Sequence, residues 1–285
     1  MKNIGFIGVG YMGYGIAKNI LKDKHKLYVV ANKNREPIDR IVKDGAEEIS
    51  SLQEFSNKKL DALFMCVTNT PIAKSISEKM TKILDHKTII IDITTHNKTG
   101  SIETEKIYKS SNINYIECPV MGGPVQAEQG VLGGIVGGSE ANFELAKPYL
   151  KIFCKDYFYF GPVGMGAKSK LLNNFLSLGN GVLVNHLAKT AKELGLDLKK
   201  VFDVAKLGSG NSTALNRVFD NLLKDDFTGF KFTAINSVKD LTYIQDLLKD
   251  FPEAEKVAEI NKNYFQKAVD DGYGENFISD LINKK

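Results

Sequence analysis

Gly161-Pro-Val-Gly-Met-Gly-Ala-Lys-Ser-Lys-Leu-Leu-Asn-Asn174 separates two patterns in this sequence: strands and helices alternate before it, and only helical periodicity follows it. Gly164 and Gly166 lack side chains where the backbone must turn or where a ligand must come close. The apolar period after them predicts one long, buried helix. Its large apolar side chains are Phe175, Leu178, Val182, Leu187 and Leu194.

Two polar residues on this predicted helix form a candidate catalytic pair. Lys170 and Asn174 are four residues apart, so they share one face and lie one turn from each other. Lys168 lies about 200° around the helix from Lys170 and is expected to point elsewhere. An ammonium and an amide directed at one point can hold a carbonyl oxygen. The alternative is a surface lysine beside an ordinary polar helix residue.

The composition indicates a globular protein rather than a nucleic-acid or membrane protein. The 285 residues are 43% apolar and 25% charged, which is enough for one large or two ordinary domains. The net charge of +4 is spread along the chain, and arginines are few, so no basic cluster favours nucleic acid. The chain shows neither a signal peptide nor an apolar run of about 18 residues. We therefore expect a soluble, cytoplasmic protein.

The cysteines and histidines predict neither disulfides nor a metal site. Cys66, Cys118 and Cys154 are odd in number and widely spaced, which is typical of reduced thiols. The four histidines are isolated from one another and from the cysteines, so no zinc-site spacing occurs.

The N-terminus carries a candidate dinucleotide-binding turn. A short β-branched and aromatic run beginning at Ile4 leads into Gly8-x-Gly10-x-x-Gly13, and helical spacing follows. Gly8 would make the tight turn, Gly10 would let the backbone approach a pyrophosphate, and Gly13 would let the helix pack on the strand. The alternative is a purely structural turn.

The end of the second predicted strand, Leu27 to Ala31, bears on cofactor choice. It leads into Asn32-Lys-Asn-Arg35, where folds that bind NAD usually place an acidic residue for the ribose 2′-hydroxyl. Asn32 can bond a ribose without repelling a 2′-phosphate, and Lys33 with Arg35 can pair with that phosphate. We therefore predict a preference for NADP(H), with NAD(H) and ordinary turn residues as the alternative.

Strand and helix continue to alternate, which indicates a doubly wound parallel sheet. Ligands of such sheets lie beyond the carboxyl ends of the strands, so three loops are candidates: residues 66–69, 94–96 and 118–124. Thr94 and Thr95 are expected to cap a helix or to contact cofactor. His96 is expected to be a capping or surface residue. The Gly122-Gly123 pair offers bare amides to a carboxylate.

The alternating pattern ends near residue 161. Residues 131–137 and 157–160 are predicted as strands that extend the sheet, with a helix over 140–151 between them. We therefore predict an α/β fold: an N-terminal doubly wound Rossmann-type domain at 1–161 and an all-α domain at 162–285. The predicted helices of the second domain are 166–194, 198–207, 214–223, 232–248 and 253–269.

With these landmarks placed, the whole chain resembles the β-hydroxyacid dehydrogenase family, which includes 3-hydroxyisobutyrate dehydrogenases and tartronate, glyoxylate and succinic semialdehyde reductases. Four motifs occur in the family's order: Gly5-Phe-Ile-Gly-Val-Gly-Tyr-Met-Gly13, Cys118-Pro-Val-Met-Gly-Gly123, Gly164-x-Gly166-x-x-x-Lys170-x-x-x-Asn174 and Lys239-Asp-Leu241. The resemblance implies that Lys170 is catalytic, that Asn174 contacts the substrate, that Lys239 reaches the cofactor and that Phe232 lies near the nicotinamide. It also implies a homodimer or homotetramer.

The sequence thus predicts three sets of site residues. The catalytic pair is Lys170 and Asn174, and Met121, Gly122 and Gly123 would bind the substrate. The cofactor-binding residues would be Gly8, Gly10, Tyr11, Met12, Gly13, Asn32, Lys33, Asn34, Val67, Thr68, Thr95, Phe232 and Lys239.

Two departures from the family pattern stand out. Most members have serine where this chain has Met121, so a hydroxyl that would help to hold the substrate carboxylate is replaced by a flexible apolar side chain. Near the C-terminus, Phe277 stands where a second acidic residue is usual, which affects packing more than chemistry.

The predicted reaction is reduction of a small aldehyde or keto acid with a nicotinamide cofactor, Lys170 being the proton source and Asn174 sharing the developing oxyanion. In the oxidative direction Lys170 would need a pKa well below the ~10.4 of free lysine. An NAD-dependent dehydrogenase of 3-hydroxy acids is the closest alternative. A phosphosugar dehydrogenase is less favoured because arginines are few, and a catalytically inactive dinucleotide sensor would not need a buried lysine.

Overall fold

A computed structural model of the chain describes residues 1–32 and 34–284. They form two compact units, one of residues Met1–Lys170 and one that begins at Leu171. The boundary lies within a single long helix, so Lys170 is the last residue of the first unit and Asn174 belongs to the second.

The first unit alternates strands with helices. Its strands are β1 (Asn3–Ile7), β2 (Lys26–Val30), β3 (Glu47–Ile49), β4 (Ala62–Met65), β5 (Ile89–Asp92), β6 (Asn114–Glu117), β7 (Val120–Met121), β8 (Leu132–Val136) and β9 (Cys154–Tyr159). Its helices are α1 (Tyr11–Lys22), α2 (Glu36–Lys43), α3 (Thr70–Met80), α4 (Gly100–Lys109), α5 (Pro124–Gln129) and α6 (Glu140–Phe153), with a 3₁₀ helix at Leu52–Asn57.

Six strands form one parallel sheet in the order β3-β2-β1-β4-β5-β6. β1 lies at the centre, with Ile4 opposite Leu27 of β2 on one side and Ala62 of β4 on the other. The order reverses between β1 and β4, which is the switch point where ligands bind in doubly wound sheets. The predicted Rossmann-type fold is confirmed.

The two faces of this sheet are covered by different helices. Alternate strand residues such as Phe64 and Ile91 pack with Ile16 of α1 and Leu150 of α6. Their neighbours in the strands pack on the other face, against Met80 of α3 and Tyr108 of α4. Because both faces are buried, the inner strands β1, β2, β4 and β5 consist mainly of apolar residues, and this is why the sequence revealed them so clearly.

Two parts of this unit differ from the sequence prediction. Helix α2 and edge strand β3 were not predicted, because Glu47 and Glu48 of β3 are polar and Ile49 alone is buried. The strands predicted to extend the sheet instead form a second sheet, in the order β7-β8-β9. Pro119 follows β6 and has no amide hydrogen to continue the parallel ladder. One antiparallel bridge, between Glu117 and Gly137, joins the ends of β6 and β8.

The second unit is helical. It comprises most of α7 (Met165–Glu193), followed by α8 (Leu198–Leu207), α9 (Thr213–Leu222), α10 (Ala234–Leu248), α11 (Pro252–Ala268), a π-helical turn at Val269–Tyr273 and a 3₁₀ helix at Ile278–Asn283. Leu178 and Val182 of α7 pack in one core with α10 and α11, and Ala188 packs in another with α8 and α9. The predicted helical C-terminal region is confirmed.

The prediction that α7 is buried along its whole length was wrong. Leu178 and Val182 are buried, but Leu187 is 37% exposed and Leu194 is 69% exposed. They belong to an exposed set on α7 that also includes Leu172, Leu176 and Leu183. At 100° per residue these five leucines fall within an arc of about 60°. We call this set the leucine stripe. No helix in the described part of the chain is long and apolar enough to span a bilayer.

Candidate functional site

The glycine-rich turn after β1 fits the role predicted for it. Gly8 has φ of +99°, and a Cβ there would lie 2.1 Å from the carbonyl oxygen of Cys66. A Cβ on Gly13 would lie 2.1 Å from the carbonyl oxygen of Gly8. At Gly10, by contrast, an added Cβ meets no atom within 4 Å. Gly8 and Gly13 are therefore needed for packing, whereas Gly10 leaves its surroundings open to a ligand.

The start of α1 is suited to binding an anion. Gly10 is its N-cap, has no side chain to bond the first amides, and no acidic residue occupies the first turn. These amides and the positive end of the helix dipole are what a pyrophosphate needs. Tyr11, in this first turn, is 74% exposed, and Met12 is half-buried. The residues present therefore fit a dinucleotide.

The end of β2 holds the residues predicted to select the cofactor. Asn32 and Asn34 are exposed, and Asn34 Oδ1 accepts a hydrogen bond from the amide of Glu36. Lys33 lies outside the described residues. The guanidinium of Arg35 is already paired, at 2.6 Å and 3.1 Å from the carboxylate oxygens of Glu48.

These ion pairs reduce the net positive charge that Arg35 presents to a ligand. Asp39 accepts a further bond from Arg35, at 2.7 Å. The hydrogen bond with Glu48 raises the pKa of Arg35 and lowers that of Glu48. The guanidinium is therefore charged but balanced by two carboxylates. The local sequence did not reveal the pairing with Glu48, because Glu48 lies on β3 and Arg35 lies before α2.

The loops after β4 and β5 are bonded to each other. The amide of Val67 donates to Thr94 Oγ1 at 3.2 Å. Helix α4 begins at Gly100 and has Thr99 as its N-cap, so neither Thr94 nor Thr95 caps a helix. That alternative was wrong, because residues 97–99 separate these threonines from the helix. Thr68 and Thr95 lie on the same two loops.

His96 is buried, and the prediction of a surface or capping histidine was wrong. It is 1% exposed, and its Nε2 lies 2.8 Å from Asp92 Oδ2. The same carboxylate accepts hydrogen bonds from the Tyr115 hydroxyl and the Thr94 amide. On the other side of the ring, Nδ1 lies 3.2 Å from Thr70 Oγ1. Asp92 is the last residue of β5 and His96 lies four residues later, so the path of the loop after β5 brings the two side chains together.

Lys170 contacts the segment predicted to bind substrate. Its Nζ donates to the carbonyl oxygen of Val120 at 2.8 Å and lies 3.5 Å from Met121 Sδ. Val120 and Met121 form the short strand β7, which pairs with Gly134 and Gly133 of β8. The ammonium and the segment that departs from the family pattern are therefore neighbours within the first unit.

The two glycines after Met121 differ in their surroundings. Gly122 has φ of +116°, a conformation that favours glycine. The amide of Gly123 is not bare, because it donates to Gln126 Oε1 at 2.9 Å. Gln126 lies in the first turn of α5, which the sequence did not predict because only six residues form it. A carboxylate that binds the Gly123 amide must displace the Gln126 side chain or share the amide hydrogen with it.

Glu117 is a buried residue of this region that the sequence did not single out. Its Oε1 accepts hydrogen bonds from the amides of Gly164 and Gly166, at 2.7 Å and 2.8 Å. Burial raises the pKa of Glu117, and the nearby Ser101 hydroxyl and the amides at the start of α7 act in the opposite direction. The only sequence signal is a charged residue directly after Tyr115 and Ile116 of the strand.

The second unit holds three more of the predicted residues. Asn174 is 8% exposed, and its Nδ2 donates to Asp240 Oδ2 at 2.6 Å. Lys239 Nζ lies 2.8 Å from Asp240 Oδ1. Asp240 therefore joins two residues predicted to act on substrate and cofactor, although the sequence assigned it no role. Phe232 is partly buried against the core around α10.

No group of three or more His, Cys, Asp or Glu side chains within residues 1–32 and 34–284 has the arrangement of a metal site. The three cysteines are free thiols. Burial raises the pKa of the Cys66 thiol to about 12, whereas the hydrogen bond with Cys154, together with burial, raises the pKa of Cys118 well above its usual value. Neither thiol is a ready nucleophile at neutral pH.

The sequence matches two family models in tandem. Residues 3–161 match the NAD binding domain of 6-phosphogluconate dehydrogenase. Residues 164–284 match the NAD-binding region of NADP-dependent 3-hydroxyisobutyrate dehydrogenase. Together these models account for nearly the whole chain.

Curated relatives have related names. A 2-(hydroxymethyl)glutarate dehydrogenase of Eubacterium barkeri is 28% identical over 230 residues, which are 79% of this chain and 76% of that protein. The mitochondrial 3-hydroxyisobutyrate dehydrogenase of Drosophila melanogaster is 29% identical over 75% of this chain and 65% of its own length. The 2-hydroxy-3-oxopropionate reductase of Escherichia coli is 28% identical over 80% of this chain and 78% of its own length.

Solved structures share the fold over its full length. A 3-hydroxyisobutyrate dehydrogenase from Salmonella typhimurium has a TM-score of 0.87 at 24% identity, with 98% of each chain covered. A Mycobacterium tuberculosis 3-hydroxyisobutyrate dehydrogenase with L-serine has a TM-score of 0.85 at 20% identity, covering 99% of this chain and 98% of its own.

Proposed function

Because the chain belongs to the β-hydroxyacid dehydrogenase family of NAD(P)-dependent oxidoreductases, we propose that it reduces a small aldehyde or keto acid to the hydroxy acid with NADPH. The observation that carries this proposal is the contact of the Lys170 ammonium with Val120 and Met121. It brings a proton donor to the segment that, by family resemblance, binds the substrate. A glyoxylate or semialdehyde is the proposed substrate class.

Lys170 is the proposed general acid. Its ammonium would leave the Val120 carbonyl, bond the substrate carbonyl oxygen, and transfer a proton as negative charge develops there. Asn174 is one turn further along α7 and would donate its amide to the same oxygen. Asp240 would hold that amide in place through the bond it accepts from Nδ2.

The cofactor would be held by the residues predicted to bind it. The open surroundings of Gly10 and the uncapped first turn of α1 support a pyrophosphate site there, with Tyr11 and Met12 in that turn. Val67, Thr68 and Thr95 would flank the dinucleotide, and the family resemblance supports contacts of Lys239 and Phe232 with it. When bound, the nicotinamide supplies the hydride. The chain's residues fix the geometry and the charge around it.

The substrate's acid end would meet Gly122 and Gly123. Gln126 already accepts a hydrogen bond from the Gly123 amide. Substrate binding would therefore require Gln126 to move away or to share this amide hydrogen with the substrate. Met121 offers no hydroxyl and adds an apolar surface beside Lys170. We therefore expect substrates with an apolar edge to be preferred over those with an extra hydroxyl, such as tartronic semialdehyde.

The preference for NADP(H) rests on the absence of an acidic residue at positions 32–35. Asn32 and Asn34 would bond the ribose, and Lys33 would pair with the 2′-phosphate. Arg35 would contribute only if its guanidinium can bind the 2′-phosphate while it is also paired with Glu48 and Asp39. That pairing favours a second candidate, an NAD(H)-dependent dehydrogenase of 3-hydroxy acids, because it leaves less positive charge for a phosphate.

We also propose a cytoplasmic homodimer or homotetramer. The leucine stripe supports this, since it gathers five exposed apolar side chains along one face of a long helix. Contiguous apolar surface of this kind marks protein interfaces. A second copy of the chain is the proposed partner, in keeping with the family resemblance.

The deciding experiment is a substrate panel with a matched pair of lysine variants. Glyoxylate and succinic, methylmalonic and tartronic semialdehydes would be tested with NADPH and with NADH. Lys170→Ala should lower kcat by about 10³-fold or more while cofactor affinity is kept, and Lys168→Ala should leave kcat near that of the wild type. Normal turnover in Lys170→Ala would remove the catalytic assignment. Cofactor binding without turnover of any substrate in the wild type would favour a sensor.

A further inference from the structure

The start of α7 is held by one buried carboxylate. Glu117 is 0% exposed, and its Oε1 lies 2.7 Å from the amide nitrogen of Gly164 and 2.8 Å from that of Gly166. Hydrogen bonds from amides to a carboxylate are stronger than those to neutral acceptors. A negative charge at a helix N-terminus is also favoured by the helix dipole. Glu117 therefore fixes the first turn of α7 against the end of β6.

The glycines around this carboxylate let the helix come this close. A Cβ on Gly166 would lie 3.0 Å from Glu117 Oε1, and one on Gly137 would lie 2.2 Å from the same atom. Gly164 has φ of +99°, and a Cβ there would be 2.7 Å from Ile102 Cδ1. The sequence left a backbone turn or the approach of a ligand as the roles of these glycines. Gly164 makes a backbone turn, whereas Gly166 allows protein atoms, Glu117 among them, to come close.

The segment that begins with Glu117 also holds the ammonium of Lys170. Val120, three residues after Glu117, accepts the hydrogen bond from Lys170 Nζ. Residues 117–121 therefore contact α7 twice, at its first turn and at the lysine one turn later. A shift of the first turn along or around the helix axis would move the Lys170 side chain relative to Met121.

We propose that Glu117 is a positioning residue for Lys170: it holds the first turn of α7 so that the ammonium lies against Val120 and Met121. The catalytic part of this inference rests on the proposed function. Glu117 itself exchanges no proton with the substrate in this scheme. Its Oε2 has no hydrogen-bond partner among the described residues, so its charge is costly to bury, and the amides of α7 offset that cost.

The test compares three variants of the full-length protein. Glu117→Ala removes the acceptor. Glu117→Gln keeps an oxygen that can accept from both amides, without the charge. Leu150→Ala is the control for lost stability, because Leu150 is fully buried on α6 and takes no part in the hydrogen bonds of Glu117. The measurements are melting temperature, NADPH affinity by fluorescence, kcat and KM, hydrogen exchange of peptides covering residues 162–170, and the rate at which an amine reagent labels Lys170.

The expected result is a specific loss of kcat in Glu117→Ala, whereas Glu117→Gln should largely retain kcat. In Glu117→Ala, exchange over residues 162–170 and the Lys170 labelling rate should rise, and kcat should fall by about 100-fold, the order found when a catalytic group is misplaced by about 1 Å. NADPH affinity should be unchanged. Glu117→Gln should retain kcat within about tenfold of the wild type. Leu150→Ala should have a lower melting temperature but an unchanged kcat.

Equal losses of kcat in Glu117→Ala and Leu150→Ala, or unchanged exchange and labelling in Glu117→Ala, would overturn the inference. If Glu117→Ala does not fold, Glu117→Asp takes its place, because it withdraws the carboxylate by about 1.5 Å. If the wild type reduces no substrate, the proposed function fails, and exchange and labelling still decide whether Glu117 positions Lys170.

Discussion

The side-chain amide of Asn174 donates a 2.6 Å hydrogen bond to the carboxylate of Asp240, which is 1% exposed. The other carboxylate oxygen lies 2.8 Å from Lys239 Nζ. One buried acid thus orients a proposed substrate contact and a proposed cofactor contact. In the sequence, Asp240 was only the middle residue of a three-residue motif.

Asp240→Asn should lower activity while the fold is kept. The change preserves volume but removes the charge that pairs with Lys239, and it leaves the Asn174 amide facing another amide. We expect kcat/KM to fall by about 10- to 100-fold, which corresponds to the ~1.5–3 kcal/mol of a hydrogen bond to a charged group. Steady-state kinetics measure this, and Asp250→Asn, at an exposed position, is the control. Unchanged kinetics would show that Asp240 only stabilises the fold.

Gly10→Ala and Gly13→Ala should separate cofactor binding from folding. Gly10 has φ of −104°, which alanine adopts, and a Cβ there meets nothing. Gly10→Ala should therefore keep its melting temperature and weaken cofactor binding by at least about tenfold. Gly13→Ala should unfold more easily, because its Cβ would collide with Gly8. Gly208→Ala, at another open position, is the control for calorimetry and cofactor titration. Full affinity in Gly10→Ala would argue against a pyrophosphate at this turn.

The Arg35–Glu48 ion pair should control cofactor preference. Glu48→Gln removes one of the two carboxylates that balance Arg35, so the ratio of NADPH to NADH affinity should rise. Arg35→Ala should lower NADPH affinity by up to about tenfold and leave NADH affinity unchanged. Side-by-side titrations of both reduced cofactors give the ratio. Tighter binding of NADH by the wild type would favour the NAD(H)-dependent alternative.

The leucine stripe should carry the subunit contact. Leu176 and Leu183 are 66% and 69% exposed, so lysine at both positions should leave the fold intact. We expect the double variant Leu176→Lys/Leu183→Lys to dissociate, as measured by sedimentation or light scattering. Leu207→Lys is the control, because Leu207 is 89% exposed on α8 and lies outside the stripe. A monomeric wild type, or an unchanged mass in the double variant, would contradict this assignment.

Burial of Glu117 should make stability depend on pH. Its pKa is raised in the folded state, so its favourable contribution is complete below the ordinary glutamate pKa of ~4.3 and is lost as pH rises through the raised value. The stability of the wild type relative to Glu117→Gln should therefore decrease with rising pH in urea titrations. A difference that grows with pH would mean that the amides of α7 outweigh burial.

The sequence predicted the parts of the fold that depend on continuous apolar strands and long helical periods. It missed β3, where Ile49 alone is buried, and the second sheet, which β8 forms with β7 and β9 instead of joining the six-stranded sheet. Family resemblance placed Lys170 and Met121 in one site, but the sequence did not predict that they are in contact. Asp92 and His96 are four residues apart, but the path of the loop after β5 decides whether they meet. Glu117 bonds Gly164 and Gly166 from a distant part of the chain, so local spacing carries no signal for that contact.

Arg35, Glu48 and Asp39 meet at the protein surface, where mobile ions reach them freely. At physiological ionic strength, exposed charges are screened over about 8 Å, whereas in dilute buffer they act over longer distances. Added salt therefore weakens the ion pairs of the guanidinium with the two carboxylates. It also weakens the attraction of the guanidinium for a phosphate. Selectivity between the two nicotinamide cofactors becomes a property of the medium as well as of the protein, and values measured in different buffers are not comparable.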